Sequence, residues 1–163
     1  MIESLLTIIL WFCVIGNGLM AGVYFAFSGF IMSSLARIET AAGILAMQSI
    51  NDVILRSAFM PIFFGTSVGA VVIAASVLSN FAEPGAILKF SAGALYFTGM
   101  FVTTILVNVP LNNKLGDADA YSAHGAEIWD DYLQRWTRWN HVRAIASLVS
   151  SILFFTAIKG TLS

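Results

Sequence analysis

The chain has 163 residues, a length that suits a single domain. Hydrophobic residues make up 58% of it and charged residues only 10%, whereas about 25% charged is usual for a soluble domain. So little charge cannot cover a water-exposed surface, and we expect lipid to solvate much of the exterior. The net charge of -1 and the lack of a basic run exclude nucleic acid as a partner, and the single cysteine excludes an intrachain disulfide.

Long uncharged stretches predict an all-α integral membrane protein. Backbone polar groups in lipid must be satisfied within their own element, and continuous apolar runs without alternation favour helices over barrel strands. We expect one domain over residues 1–163, a four-helix bundle with spans at roughly 5–32, 57–80, 88–110 and 140–159. The first stretch has neither a basic start nor a cleavage site, so it is expected to be a retained helix.

The connections between the spans differ in length and composition. The second helix is expected to begin near Thr40, to run far past the membrane surface and to kink at Pro61. A Pro-Gly pair that ends at Gly85 indicates a tight turn between the second and third spans. The third connection predicts an amphipathic cytoplasmic helix, capped by Asp117 or Asp119, that continues directly into the last span.

Basic residues near the spans predict the orientation in the membrane. Only Lys89 and Lys159 fall on the side of the two termini. The opposite side, formed by the first and third connections, holds Arg37, Arg56, Lys114, Arg135, Arg138 and Arg143. The positive-inside rule then places both long connections in the cytoplasm and both termini outside it, with a bacterial inner membrane as the expected location.

Polar side chains recur on one stripe of each span, close to the expected cytoplasmic helix ends. Polar groups at membrane depth normally face the bundle interior, where helix bundles build their ligand pockets. We therefore expect a pocket at this level, formed by Tyr24, Ser28, Gln48, Asn51, Asn108, Asn112, Asn140, His141 and Arg143. Tryptophans before the last span are typical of a membrane interface, and their clustering favours a place for one of them in a site.

The residue types limit the chemistry of such a pocket. The usual metal-binding spacings are absent, so no metal site and no cofactor are predicted. One alternative is copper held by His141 and a thioether such as Met47, or haem with His141 as an axial ligand. Another is that His141 acts as a general base or proton donor.

Several segments resemble one family of small four-span membrane proteins. They are Gly22-Val-Tyr-Phe-Ala-Phe-Ser-Gly29, Met47-Gln-Ser-Ile-Asn51, Phe63-Phe-Gly65, Asn108-Val-Pro-Leu-Asn-Asn113 and Trp129-x-x-Tyr132-x-x-x-Trp136-Thr-Arg-Trp-Asn-His-Val-Arg143. The family is named for fungal anthrone oxygenases, and the resemblance covers nearly the whole chain. It implies insertion of oxygen into a reduced tricyclic phenol to give an anthraquinone, without a cofactor.

The resemblance also implies roles for the polar residues of the pocket. His141 would be the base that removes a ring proton, while Arg143, Asn108 and Asn112 would stabilise the enolate oxygen. Aromatic side chains would stack on the rings of the substrate. The expected substrate contacts are Tyr24, Asn51, Trp136, Trp139 and Asn140.

The sequence thus predicts a membrane oxidoreductase or oxygenase-like protein that acts on a lipophilic aromatic molecule, either anthrone-like or quinol-like. Two alternatives stay open. One is a non-catalytic scaffold or carrier that binds a hydrophobic ligand, and the other is a membrane protein with an unusual haem or copper site. The expected partners are the lipid bilayer and a lipophilic small molecule, and a homo-oligomer is left open.

Overall fold

Apolar runs of this length form helices throughout the part of the chain that the structure describes. The computed structural model describes residues 2–160, with side chains for residues 2–158, and it contains no strand in that range. Lys159, on which the expected orientation partly depends, lies outside the described side chains. The helices are α1 (Ile2–Leu35), α2 (Thr40–Ile54), α3 (Phe59–Ser76), α4 (Ala86–Gly116) and α5 (Ala123–Gly160).

Four of these helices, α1, α3, α4 and α5, are long and apolar enough to cross a membrane. Buried hydrogen bonds join them into one bundle. Asn17 Nδ2 of α1 donates to Ser150 Oγ of α5 over 3.1 Å, and Ser150 Oγ donates to the Ala92 carbonyl of α4 over 2.8 Å. The Thr66 and Tyr96 hydroxyls join α3 to α4 over 2.7 Å. The expected all-α membrane bundle is confirmed.

The α3–α4 contact is close because glycine leaves room for the neighbouring backbone. A Cβ atom at Gly93 would collide with the carbonyl oxygen of Ala70 and lie 2.8 Å from the Cβ of Ala74. On the other side of α3, a Cβ at Gly69 would lie 2.8 Å from Cys13 Sγ of α1. Small residues at such contacts let membrane helices approach closely, so that van der Waals packing holds the bundle together.

The α2 and α3 helices are separate, so the expectation of one helix kinked at Pro61 is wrong. The chain leaves the helical path at residues 55–58. There, Ser57 Oγ donates to the Ile54 carbonyl over 2.8 Å and accepts the Phe59 N–H over 3.2 Å. A serine that bonds to nearby backbone competes with helix continuation. Pro61 falls in the first turn of α3, where its missing N–H is not needed.

A backbone dihedral angle and a local hydrogen bond determine where the two connections that flank α4 end. Gly85, at a φ of 78°, turns the chain from α3 into α4, as the Pro-Gly pair predicted. At the start of α5, however, the cap is Ser122 and not Asp117 or Asp119, because Ser122 Oγ accepts the Gly125 N–H over 2.8 Å. Asp119 instead accepts the N–H of Tyr121 in the preceding turn.

The α5 helix is continuous from its amphipathic start through the last span, as the sequence predicted. Its 38 residues extend over about 57 Å, nearly twice the thickness of a hydrocarbon core. The first half therefore lies beyond the bundle's apolar core, where it packs against α2 and the end of α4. Gln48 Nε2 fixes this second layer by donating to the carbonyls of Leu115 and Ala118 over 2.8 and 3.0 Å.

Two helices of the bundle contain π-helical turns near the junction of the two layers. The α1 helix has one at Phe27–Ile31, and α4 has two, at Phe97–Val102 and Thr104–Asn108. In the last of these, the Val109 N–H bonds to the Thr104 carbonyl, and the helix then continues through Pro110. Such turns shift the register of the side chains that follow, and they are frequent at functional sites.

Candidate functional site

A cavity lies where the core of the bundle meets the second layer. All of α1 to α5 contribute to its wall, and the gap between the end of α2 and the start of α3 borders it. The volume of the cavity is about 130 Å³, and the cavity is partly open. Most lining side chains are apolar, and the polar ones are Tyr24, Asn51, Thr104, Asn112, Trp136 and Arg143.

Arg143 is the charged group of this cavity, and only 5% of it is exposed. The centre of its guanidinium lies 4.4 Å from the centroid of the Tyr24 ring and 5.0 Å from that of Trp136. Arg143 Nη2 donates to Asn140 Oδ1 over 2.7 Å, and Nη1 donates to Thr104 Oγ1 over 3.4 Å. The Nε atom is buried without a hydrogen-bond partner. The guanidinium is thus held in place while part of its donor capacity stays unused.

The charge of Arg143 faces neutral groups only. Within residues 2–158 no ion pair includes Arg143, and the carboxylates of the ion pairs belong to Asp52, Glu83, Glu127 and Asp131. A buried charge without an opposite charge is costly in an apolar environment. A ligand that brings an anionic oxygen into the cavity would supply the missing partner.

Comparison with known proteins identifies the family of the chain. The model of the family described as Anthrone oxygenase matches residues 54–153, more than half of the chain. The chain belongs to the anthrone oxygenase family. The matched stretch includes Thr104, Asn112, Trp136 and Arg143 of the cavity. No curated protein and no solved structure matches the chain.

In this member of the anthrone oxygenase family, Asn112 organises the aromatic wall of the cavity. Its Oδ1 atom accepts both the Tyr132 hydroxyl and the Trp136 indole N–H, each over 2.8 Å. The ring of Tyr132 stacks on Trp136 at 5.6 Å and on Trp129 at 5.8 Å. Trp129 and Trp136 are 3% and 4% exposed. The interpretation of these two tryptophans as interface residues is therefore wrong, and only Trp136 lines the cavity.

Asn140 joins the arginine to α1. While its Oδ1 accepts from Arg143, its Nδ2 donates to the Tyr24 carbonyl and to Ser28 Oγ, each over 2.6 Å. Ser28 belongs to the π-helical turn of α1. Asn140 does not line the cavity, so its contacts position Arg143 and Tyr24, and no direct substrate contact is assigned to it.

Two other asparagines carry amide atoms without partners. Asn51 lines the cavity, and its buried Nδ2 has no hydrogen-bond acceptor. Asn108 is fully buried behind the wall, where Nδ2 donates to the Trp136 carbonyl over 3.3 Å and Oδ1 has no partner. Asn51 therefore presents an amide donor to the cavity, close to the Tyr132 hydroxyl, whereas Asn108 connects α4 to α5.

Two residues that the sequence placed in the site lie outside the cavity. His141 and Trp139 are exposed and do not line it. Successive residues of a helix are about 100° apart, so positions 139 and 141 point to either side of Asn140. Met47, by contrast, is buried in the wall of the cavity. Among the described residues, no group of three or more His, Cys, Asp or Glu could hold a metal ion.

Sequence reasoning missed several residues of the wall. Thr104 lines the cavity, as does Asn112 eight residues further along the same polar stripe of α4, and this spacing could have indicated it. Phe59 and Phe63 of α3 also line it, with rings stacked 5.9 Å apart. An apolar pair in a membrane span gives no signal that separates a cavity from a lipid-facing surface.

Proposed function

We propose that this protein is a membrane oxygenase that converts a lipophilic phenol-like aromatic into the corresponding quinone, with molecular oxygen as the oxidant. The single observation that carries this proposal is Arg143, a buried guanidinium without a carboxylate partner in an otherwise apolar cavity. Membership of the anthrone oxygenase family supports an oxygenase-type reaction.

The proposed reaction begins with an oxyanion. An anthrone-like substrate binds as its phenol tautomer, with the oxygen against Arg143 and the Asn51 amide. An adjacent guanidinium stabilises the anion and lowers the pKa of the substrate hydroxyl, so its proton can leave to water. This assignment replaces a protein base, because His141 is not in the cavity.

The anion then reacts with molecular oxygen at the ring carbon opposite the phenol oxygen. A carbon–oxygen bond forms, and the peroxide anion takes back one proton to give a hydroperoxide. This hydroperoxide loses water as its O–O bond and the C–H bond of the same carbon break, which leaves a carbonyl group. In balance, the methylene group of the anthrone and one molecule of oxygen give one ketone carbonyl and one molecule of water. The protein's contribution is to bind the ring, to stabilise the anion and to keep bulk water away from it. No cofactor takes part, as the family resemblance implies.

The aromatic side chains of the cavity hold the guanidinium in place and offer a surface for the substrate ring. The ring centroids of Tyr24 and Trp136 each lie within 5.0 Å of the guanidinium centre. These cation–π contacts hold the plane of the guanidinium in place. The rings of Phe59 and Phe63 form an apolar wall on which a substrate ring can stack. A polar end and an aromatic wall are what a lipophilic phenol requires of its binding site.

Substitution of Arg143 tests this function. In lipid nanodiscs, Arg143→Gln should lower anthrone-dependent oxygen uptake by about 100-fold or more, because it removes the charge that stabilises the anion. Arg143→Lys should retain part of the activity. Arg135→Gln is the matched control, since Arg135 lies on the same helix but is exposed and paired with Asp131. Helicity and gel-filtration profile establish that each variant is folded.

Two results would contradict the proposal. Unchanged oxygen uptake in Arg143→Gln would remove the assigned role of the guanidinium. Ligand binding that depends on Arg143 without any oxygen uptake would favour the second candidate, a carrier of lipophilic anions, which the unpaired guanidinium also suits.

A further inference from the structure

The cavity has a charged end and an apolar rim. Arg143 is buried, whereas the lining residues Val23, Phe64 and Ile105 are 37%, 49% and 43% exposed. Phe64 lies on α3 and Ile105 on α4, which are neighbours in the bundle. Both helices are long and apolar enough to cross a membrane, and lipid solvates the exposed apolar side chains of such helices. A molecule bound at Arg143 can therefore extend into the bilayer between α3 and α4.

The cavity has room for one aromatic ring. Its volume is about 130 Å³. A protein cavity of about 150 Å³ with an apolar lining binds a single benzene molecule. Three fused rings form a rigid plate that cannot bend at the rim, whereas a chain of single bonds can follow it. The shape thus favours one ring inside and a flexible segment outside.

We propose that the substrate is an electron-rich monocyclic phenol with a flexible apolar tail. Its ring lies beside Arg143 in the cavity, and its tail passes between Phe64 and Ile105 into the bilayer. This inference rests on the proposed function in placing the phenol oxygen at Arg143, and it replaces the tricyclic substrate by a lipid-borne one.

The chemistry is the same as for an anthrone and balances in the same way. The phenolate carbon opposite the oxygen bonds to molecular oxygen, and the hydroperoxide formed there loses water with cleavage of its O–O bond. A phenol ring with a hydrogen at that carbon becomes a para-quinone, so that one phenol and one molecule of oxygen give one para-quinone and one molecule of water. The ring loses four electrons, and molecular oxygen accepts them.

The rim supplies a pair of matched variants. Ile105 lines the cavity, while the next residue, Leu106, is 69% exposed and does not line it. Ile105→Trp should fill the passage for the tail, and Leu106→Trp adds the same bulk to the lipid-facing surface alone. Neither residue contacts the reacting atoms in the proposed complex.

The test compares three compounds in nanodiscs by oxygen uptake: a methoxyphenol with a long alkyl chain and a free para position, the same phenol without the chain, and anthrone. We expect the tailed phenol to have a kcat/KM about 10-fold or more above that of anthrone. Ile105→Trp should lower the kcat/KM of the tailed phenol by about 10-fold but that of the tailless phenol by less than about 3-fold. Leu106→Trp should change neither.

A preference for anthrone, or an equal effect of Ile105→Trp on both phenols, would overturn the inference and leave the proposed function standing. If none of the three compounds supports oxygen uptake, the proposed function fails. Calorimetric binding of the same compounds to the same variants then decides whether a tailed phenol is the ligand of the cavity. Tail-specific loss of affinity in Ile105→Trp supports this part of the inference, and equal loss overturns it.

Discussion

Arg143 is held by neutral partners, and this makes its charge available to a ligand. Thr104 Oγ1 is one of those partners, at 3.4 Å from Nη1, and it lies in the wall of the cavity. A carboxylate at this position would pair with the guanidinium and take the place of an anionic substrate. Substitutions at position 104 can therefore test the effect of an added charge beside Arg143 separately from the effect of side-chain shape.

We predict opposite effects of Thr104→Asp on stability and on function. The new carboxylate should raise the melting temperature, because it compensates a buried charge. It should also lower the affinity for a phenol substrate by about 10-fold or more, because the guanidinium is no longer free. Thr104→Asn introduces a side chain of nearly the same shape as aspartate but without its charge. We expect this variant to bind the phenol as the parent protein does. Thermal unfolding and calorimetry measure the two effects; equal affinities in the Asp and Asn variants would contradict the prediction.

Asn112 is the second residue at which a single atom has a large structural role. Its Oδ1 accepts from Tyr132 and Trp136, both of which are buried. Asn112→Leu leaves the two donors unsatisfied, at a cost of about 1–3 kcal/mol for each. Asn112→Asp keeps an acceptor oxygen at the same place. We expect denaturant titration in detergent to show a large loss of stability for the leucine variant and a small one for the aspartate variant.

At the scale of the elements, the close α3–α4 contact depends on Gly93. The Cβ of an alanine would meet the Ala70 carbonyl, which belongs to the backbone and cannot rotate away. We predict that Gly93→Ala destabilises the protein by about 1–3 kcal/mol through overpacking. Gly22→Ala is the control, since a Cβ there has nothing within 4 Å. The control should be neutral or stabilising by up to about 1 kcal/mol, because alanine favours a helix. Equal melting temperatures for the two variants would contradict the assigned contact.

The elements were predictable from the sequence where hydropathy decides them. Four uncharged runs gave the four spans, and the lack of proline after Tyr121 gave the continuous α5 helix. The break between α2 and α3 was missed because it depends on the hydrogen bonds of one side chain, that of Ser57. Local bonds of this kind leave no periodic pattern in a sequence.

The site was predictable only in part, because the direction of a side chain around its helix axis decides whether it reaches the cavity. Asn140 and Arg143 are three residues apart and face the same way, and the structure brings them together. His141 was grouped with them by depth alone, although its position differs from that of Asn140 by about 100° around the helix. Depth along a helix follows from hydropathy, but the direction of a side chain follows from phase. The sequence does not indicate which face of α3 lines the cavity, because tertiary packing decides it. Phe59 and Phe63 are examples of residues on that face.

At the scale of the whole molecule, the structure changes how the basic residues are counted. Arg143 is buried in the cavity, so five of the six residues in the two long connections remain as candidates for contact with the membrane surface: Arg37, Arg56, Lys114, Arg135 and Arg138. On the other side, Lys89 is paired with Glu83 over 2.6 Å and its side chain is only 13% exposed. The bias toward the side with α2 and the start of α5 persists, and the positive-inside rule still predicts a cytoplasmic location for that side.

Cysteine labelling tests this orientation, because Cys13 is the single cysteine and is buried. In a Cys13→Ser background expressed in a bacterial inner membrane, Ala82→Cys and Asp119→Cys place one thiol in each of the links that flank α4. Both positions are exposed, so any difference in labelling reports the side of the membrane. A membrane-impermeant maleimide should label position 82 in intact spheroplasts and position 119 only after lysis. Labelling of position 119 in intact spheroplasts would place the layer formed by α2 and the start of α5, and both long connections with it, on the outer side.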